Sequence, residues 1–363
     1  MRKVSVVHCA DIHYDSDIKF LGTKERKRCE ERRASFEKIL KMCRVEKINY
    51  LLIAGDLFDT PEPEEKYVKR LRDEFEKCSD TYIFISPGNH DYVSVSSPYR
   101  REDFWSDNVY IFMDEWEGVN IEEDGVTVYG SGFTQIHCKN SMLKRCENDD
   151  YIHLGVMHGD ISGTEKYNPI NRNEISDSGL DYLALGHIHK RTDVLKSGNT
   201  YYSYSGCHDG RGFDEPGIQG VYKGYVWEGG CEMKFYPVSS RSLYRMQFDI
   251  SEMSDENIAQ YIEAHLMGTE EDIYEITLKG KVTGGYEPDI AWISERSGLF
   301  YVRLIEEYSR HYDYEVLRSE KSVRGEFVQK MMTLMEHEED YVKMKALELG
   351  VTAFSKEVNY HED

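Results

Sequence analysis

The chain has 363 residues, of which 40% are hydrophobic, and it carries a formal net charge of −22. This length and apolar content predict a globular protein with one large and one smaller domain, and they exclude a disordered chain. The negative charge argues against a nucleic-acid-binding surface spread over the whole molecule. A local metal-lined groove stays possible, because bound divalent cations reverse the local sign of the charge.

The N-terminal part alternates apolar strand-like runs with charged helical stretches. Strands are predicted at residues 4–10, 50–54 and 82–85, and helices at 24–46 and 64–77 separate them. This alternation of strands and helices is typical of an α/β layered domain. In such sheets, ligands gather beyond the carboxyl ends of the strands.

The pattern changes after residue 109, where short apolar runs up to residue 133 alternate with glycines. These runs predict a second, partly antiparallel sheet. A helix or loop is expected from Cys138 to Asn148. Strands at 151–157 and 180–185 follow, and strands rich in Tyr and Gly continue to about Pro237.

The composition shifts again at Leu243 and predicts a small α+β module. Its last predicted strand covers residues 314–317. Two helices are expected at the end of the chain, from Glu326 to His337 and from Asp340 to Leu349.

Five of the predicted strands end in side chains that bind metals. These side chains are Asp11 and His13, Asp56, Asn89 and His90, His158, and His187 and His189. A single strand-end histidine is more often a satisfied polar residue than a ligand, but five such ends together indicate a site. The donor set suits Mn²⁺, Fe²⁺ or Zn²⁺ better than Ca²⁺. Two such cations ~3.5–4 Å apart can clamp a phosphoryl oxygen and lower the pKa of a shared water, which is the chemistry of phosphate-ester hydrolysis.

In this order, the motifs resemble those of the calcineurin-like metallophosphoesterase superfamily. The motifs are Asp11-x-His13, Gly55-Asp56, Gly88-Asn89-His90-Asp91, His158 and Gly186-His187-x-His189. Residues 55–59 and 206–215 are similar to segments of the SbcD-type DNA repair exonucleases and their YhaO-like relatives. The resemblance implies an α/β fold, a two-sheet β-sandwich flanked by helices over residues 1–240. A small α+β cap domain (241–322) and a C-terminal helical segment (323–363) would follow.

The resemblance also implies a role for each site residue. Asp11, His13 and His189 would bind the first metal ion, and Asn89, His158 and His187 the second. Asp56 would bridge the two ions. His90 would face the phosphate, where it either stabilises the transition state or protonates the leaving oxygen, and Asp91 would orient His90. Mn²⁺ is the expected ion, with Fe²⁺, Zn²⁺ and Mg²⁺ as alternatives.

The sequence departs from the family pattern at two positions. Asp59 stands where some nucleases of the superfamily carry a histidine beside the metal ligands, and Ser205 stands where a proline is common. The other histidines at positions 8, 137 and 153 are interpreted as bystanders, and the role of His208 stays open. The tyrosines at 201, 202 and 204 either form a base-stacking platform or pack within a strand.

The function that the resemblance implies is a manganese-dependent nuclease in DNA end processing or repair. Its cap domain would contact DNA. An SbcC-like ATPase would dock through the C-terminal helices, where Phe327, Met331 and Met335 are a candidate docking face. Packing of that face within the chain is the alternative, and a homodimer is also considered.

Two other functions remain to be weighed. A phosphodiesterase or phosphatase for a small molecule or phosphoprotein is favoured by the acidity of the chain, because DNA binding draws on Lys and Arg. A non-catalytic scaffold is disfavoured by the intact ligand set. No apolar segment approaches the ~20 residues that span a bilayer, and the run after Met1 is too short for a signal peptide. We therefore expect no membrane association, a cytoplasmic location and free thiols at the cysteines.

Overall fold

The computed structural model describes residues 2–147, 149–163, 166–284, 286–335 and 341–355. The chain divides into two compact units, Met1–Leu243 and Tyr244–Asp363. The further boundary that the sequence predicts at residue 322 stays a prediction.

The first unit contains two large sheets with helices. Its strands are β1 (Val4–Cys9), β2 (Tyr50–Ile53), β3 (Tyr82–Ile85), β4 (Val109–Ile111), β5 (Glu117–Ile121), β6 (Val126–Gly130), β7 (Ile152–His158), β8 (Tyr182–Gly186), β9 (Leu195–Ser197), β10 (Thr200–Tyr204), β11 (Gly220–Trp227) and β12 (Gly230–Pro237). Its α-helices are α1 (Glu25–Glu46), α2 (Glu65–Glu76) and α3 (Arg172–Asp177).

Each sheet has six strands and is mostly parallel at its centre. The first sheet has the order β12-β11-β1-β2-β3-β4, and the second has the order β5-β6-β7-β8-β10-β9. Strands β1 to β4 run parallel to one another, and β6, β7, β8 and β10 do the same in the second sheet. The carboxyl ends of β1, β2 and β3 therefore share one edge of the first sheet, and those of β7 and β8 share one edge of the second.

The alternation of side chains along β1 explains the layering. Val7 and Cys9 are buried in the cluster that includes apolar residues of α1 and α2, such as Phe36. Val6 faces the other way and packs in the cluster between the sheets, with Leu154 of β7 among its members. Full burial of such a side chain contributes about 1.5–3 kcal/mol. The fold is thus the two-sheet α/β sandwich flanked by helices that the sequence predicted.

Strand β4 is an exception to the predicted layout. It pairs in parallel with β3 in the first sheet, with Ile83 opposite Val109, and does not belong to the second sheet. The physical reason lies in an aromatic stack on the inner face, where Phe84 lies parallel to Tyr110 at a ring separation of 5.0 Å. Residues 138–147 form a loop without helix, and Asn148 lies outside the described residues.

The second unit is the smaller α+β module. Its elements are β13 (Leu243–Asp249), α4 (Asp255–Ala264), β14 (Ile273–Lys279), β15 (Lys281–Thr283), α5 (Ile290–Arg296), β16 (Tyr301–Glu306), β17 (Ser309–His311), α6 (Tyr314–Leu317), α7 (Val323–Met335) and α8 (Tyr341–Ser355). Strands β13, β14 and β16 form one sheet, and β15 pairs with β17.

The segment predicted as a strand at residues 314–317 is instead the short helix α6. Asp313 caps this helix by accepting a hydrogen bond from the backbone N–H of Val316 at 3.1 Å, which favours a helix start over a strand. The predicted helix end at His337 and helix start at Asp340 lie outside the described residues.

The candidate docking face of the C-terminal helices is partly covered by the chain itself. Phe327, Met331 and Met335 of α7 pack against a cluster that includes Leu347 and Val351 of α8. Whether a partner also binds there stays a prediction. Among the described residues, no helix combines the length and the apolar character that crossing a membrane requires.

Candidate metal centre

The loops that follow β1 and β2 are joined backbone to backbone. The N–H of Asp11 donates to the carbonyl of Gly55 at 3.0 Å, and the N–H of His13 donates to the carbonyl of Asp56 at 2.9 Å. The pairing of the parallel strands thus continues past their ends, so the side chains that follow are held in a fixed register.

The backbone is strained where these side chains leave it. Asp11, His13, Asp56 and His187 have φ angles of 52°, 44°, 50° and 101°. Such conformations are costly for residues with a Cβ atom and cluster at functional sites. The strain therefore marks four of the predicted ligands independently of their chemistry.

Two glycines in the motifs are required by close approach. A Cβ atom on Gly88 would lie 2.2 Å from Oδ1 of Asp56, and one on Gly55 would lie 2.2 Å from Nδ1 of His158. Both distances are far below contact distance. The glycines therefore let the loops close around the predicted ligands.

The residues predicted to bind the first metal ion lie close together. Nε2 of His189 lies 3.6 Å from Oδ1 of Asp11, and Nε2 of His13 lies 3.8 Å from Oδ2 of Asp56. Asp11, His13 and His189 offer ligand atoms that all lie within 4.8 Å of one another. The spacing suits a single cation.

The second group lies around the amide oxygen of Asn89. This oxygen is 2.9 Å from Nε2 of His158 and 3.1 Å from Nδ1 of His187. Nε2 of His158 is also 3.5 Å from Oδ2 of Asp56, the same oxygen that lies near His13. Asp56 therefore stands between the two groups, in the position that a bridging carboxylate requires.

The donors fit divalent cations. Nδ1 and Nε2 of His13 are both buried, and neither has a hydrogen-bond partner among the described residues. Asp11 and Asp56 are both buried, and burial raises the pKa of Asp11 to about 7 and that of Asp56 above its ordinary value. Burial lowers the pKa of His158 to about 3, so this imidazole is neutral and free to ligate. His189 differs, because Asp11 and Glu215 outweigh its burial and raise its pKa to about 9. Buried carboxylates beside a neutral imidazole such as that of His158 are stabilised by a cation.

Three contacts lie at Nδ1 of ligand imidazoles. Those of His189 and His158 are hydrogen bonds, and that of His13 is an ion-pair contact without hydrogen-bond geometry. Oδ1 of Asp59 lies 2.7 Å from Nδ1 of His13, and Oε1 of Glu215 lies 2.5 Å from Nδ1 of His189. Nδ1 of His158 lies 3.1 Å from a backbone carbonyl. Partners of this kind fix the ring orientation of metal-binding histidines. Asp59 and Glu215 thus lie beside candidate ligands, and the sequence predicted no role for Glu215.

His90 lies at the surface of the cluster, and its side chain is 45% exposed. Its backbone N–H donates to Oδ1 of Asp56 at 2.9 Å. Nδ1 of its ring lies 3.3 Å from the carbonyl oxygen of Asp59 and 3.8 Å from Oδ1 of the same residue. An exposed imidazole beside the candidate metal ligands can reach a bound substrate.

The predicted role of Asp91 as the partner of His90 needs a correction. The carboxylate of Asp91 accepts hydrogen bonds from the N–H groups of Leu57 and Gly88 and from the hydroxyl of Tyr99. These contacts tie the loop after β2 to the loop after β3, because Asp91 points into the buried interior between them. Asp59, and not Asp91, is the acidic residue beside the His90 ring.

The remaining candidate residues have structural partners. His8 contacts the hydroxyl of Tyr182, and His208 contacts the carbonyl of Arg32. Tyr202 and Tyr204 are buried, which agrees with strand packing and leaves them no access to a base.

Comparisons with known proteins agree with this geometry. A family model described as calcineurin-like phosphoesterase matches residues 4–191, just over half of the chain. The uncharacterized metallophosphoesterase YhaO of Bacillus subtilis (strain 168) is 30% identical over 248 residues. This alignment covers 64% of the chain and 60% of the relative, so the chain spans about three fifths of that relative's length.

Proposed function

The chain belongs to the calcineurin-like phosphoesterase family, and we propose that it is a metal-dependent nuclease of the SbcD type that hydrolyses phosphodiester bonds at DNA ends. The observation that carries the proposal is the position of the segment 206–215, which resembles the SbcD branch. Its Glu215 lies 2.5 Å from the candidate ligand His189. The contact between this segment and a candidate ligand supports the proposal.

In this proposal, the bound cations and the residue His90 have different functions. Bound cations would supply polarisation of the phosphoryl oxygen and activation of water, and Mn²⁺ is the proposed ion. The chain's own contribution beyond ligation centres on His90, whose backbone N–H is held by Asp56 and whose ring lies beside Asp59. His90 would stabilise the charge that develops on the phosphate or deliver a proton to the leaving oxygen.

The test of this role is His90→Ala in the full chain, assayed on linear DNA with Mn²⁺. Hydrolysis should fall by about 10²–10⁴-fold, the usual contribution of a positioned acid or base. Metal content should equal that of the unaltered chain, because His90 is not a proposed ligand. His265→Ala, which removes an exposed histidine of the second unit, is the matched control. Unchanged cleavage by His90→Ala would remove the assigned role.

A second candidate is a phosphodiesterase or phosphatase for a small molecule or a phosphoprotein. The net charge of −22 favours it, because it repels a long polyanion. The unaltered chain would be assayed in parallel on linear DNA, a chromogenic phosphodiester and a phosphomonoester at several salt concentrations. Cleavage of DNA that weakens as salt rises supports the nuclease. Cleavage of the small substrates alone would replace the nuclease with this second function.

A further inference from the structure

Arg211 lies between two carboxylates that belong to different parts of the chain. Its Nη1 atom is 3.0 Å from Oδ1 of Asp59, and its Nε atom is 3.5 Å from Oε1 of Glu215. Its backbone N–H also donates to Oε2 of Glu215 at 2.6 Å. The side chain is only 25% exposed, so these contacts are partly shielded from water.

Each of the two carboxylates lies beside Nδ1 of one imidazole of the first candidate metal site. The oxygen of Asp59 that faces Arg211 is the oxygen 2.7 Å from Nδ1 of His13. The oxygen of Glu215 that faces Arg211 is the oxygen 2.5 Å from Nδ1 of His189. One guanidinium therefore connects both histidines of that site through one oxygen each.

The second candidate site is held without this arginine. Nδ1 of His158 faces the backbone carbonyl of Ala54. His187 is fixed by its backbone, whose N–H donates to Oδ1 of Asp11 at 3.1 Å. Any effect that passes through Asp59 and Glu215 should therefore reach the first site and spare the second.

We propose that Arg211 is a positioning residue that sets the affinity of the first metal site by fixing the Asp59 and Glu215 carboxylates against their imidazoles. The planar guanidinium donates to Asp59 from Nη1, and its Nε lies at ion-pair distance from Glu215, so one rigid charged group faces both carboxylates. A lysine ammonium on a flexible stem keeps the charge but lacks this geometry. The proposal rests on the metal centre of the proposed function and is independent of the substrate.

The test is a titration of the metal-free full chain with Mn²⁺. Binding is measured by calorimetry and by the electron paramagnetic resonance signal of free Mn²⁺. The unaltered chain should bind two ions. Arg211→Gln should weaken one of them by about 10–100-fold, the usual cost of removing a group that orients a ligand, and leave the other unchanged. In Arg211→Lys, the affinity of that site should lie between its values in the unaltered chain and in Arg211→Gln. Arg101→Gln, which breaks a surface pair with Glu65 in the same unit, is the control and should bind as the unaltered chain does.

The outcomes separate this proposal from the proposed function. Two unaltered sites in Arg211→Gln, or equal weakening of both, would overturn the positioning role. Failure of the unaltered chain to bind Mn²⁺ would instead overturn the metal centre on which the nuclease depends. If circular dichroism shows that Arg211→Gln does not fold, Asp59→Asn and Glu215→Gln take its place. Each should then weaken the same single site, and normal two-site binding in both would contradict the proposal.

Discussion

Two of the buried clusters of charged side chains in the first unit differ in what faces their carboxylates. In the first, the carboxylate of Asp209 pairs with Arg28 and accepts hydrogen bonds from the hydroxyl of Ser35 at 2.8 Å and from the N–H of Ser240 at 3.0 Å. In the second, Asp11 and Asp56 are buried together. Asp56 lies near His158, whose pKa burial lowers to about 3, and Asp11 lies near His189, where burial is outweighed by Asp11 and Glu215 and the pKa rises to about 9.

This difference separates structural charge from functional charge. A buried carboxylate with a guanidinium and several donors is complete, and it ties helix α1 to the loop around residue 209. A buried pair of carboxylates that faces imidazoles and no buried guanidinium is incomplete, because a bound divalent cation would supply the remaining positive charge. The following predictions test this contrast, from the largest expected effect to the smallest.

Asp56→Asn should abolish hydrolysis while it spares the fold. The side chain stands between both groups of ligands, and the loss of several kcal/mol of charge stabilisation corresponds to more than ~10³-fold in rate. The free energy of unfolding of the metal-free protein should not fall, because the substitution removes one of two crowded carboxylates. Steady-state kinetics and urea unfolding measure the two effects. A large loss of metal-free stability would show that Asp56 is structural.

Asp209→Asn should have the opposite effects: a large loss of stability and retained metal binding. It leaves the fully buried Arg28 without its nearest charged partner, since the remaining carboxylate, that of Glu31, is 4.0 Å away. Breaking a buried pair in this way costs about 3–5 kcal/mol of unfolding free energy. Residual folded protein should still bind two Mn²⁺ ions, because Asp209 is not a proposed ligand. Urea unfolding monitored by circular dichroism, with Asp56→Asn as the comparison, decides between the profiles. A loss below ~1 kcal/mol would contradict the structural assignment.

Mn²⁺ should stabilise the unaltered chain against unfolding. Binding to the native state alone adds about 2.7 kcal/mol per site when the free ion is at 100 times its dissociation constant. Thermal unfolding with and without a chelator measures this gain. The same addition should stabilise Asp56→Asn less. Equal shifts in both proteins would indicate that the ion binds elsewhere.

The smallest effect is the pH dependence of the Arg28–Asp209 pair. Burial alone would raise the pKa of Asp209, but the adjacent Arg28 guanidinium holds it below its ordinary value of 3.8. A depressed pKa means that the pair stabilises the fold above that ordinary value and that this stabilisation is lost as pH falls below it, at about 1.4 kcal/mol per unit of pKa difference. The stability gap between the unaltered chain and Asp209→Asn should therefore be constant above pH 5 and narrow below pH 4. A constant gap down to pH 3 would contradict the assignment.

Much of the fold and of the ligand set could be predicted from the sequence. Apolar runs that end in Asp, Asn or His mark strands and their polar ends directly, because both signals lie within a few consecutive residues. The prediction was wrong where an element depends on its neighbours. Strand β4 joins the first sheet through an aromatic stack on Phe84, and α6 forms because Asp313 caps it.

By itself, the sequence determined which side chains would stand at the strand ends and that their chemistry suits divalent cations. Only the tertiary structure decided which acidic residue supports which imidazole. It assigned Asp91 to the loop backbone and placed Asp59 beside His13. Arg211 and Asp59 are 152 positions apart in the chain, and contacts over such distances depend on sheet order and loop geometry that no local pattern encodes.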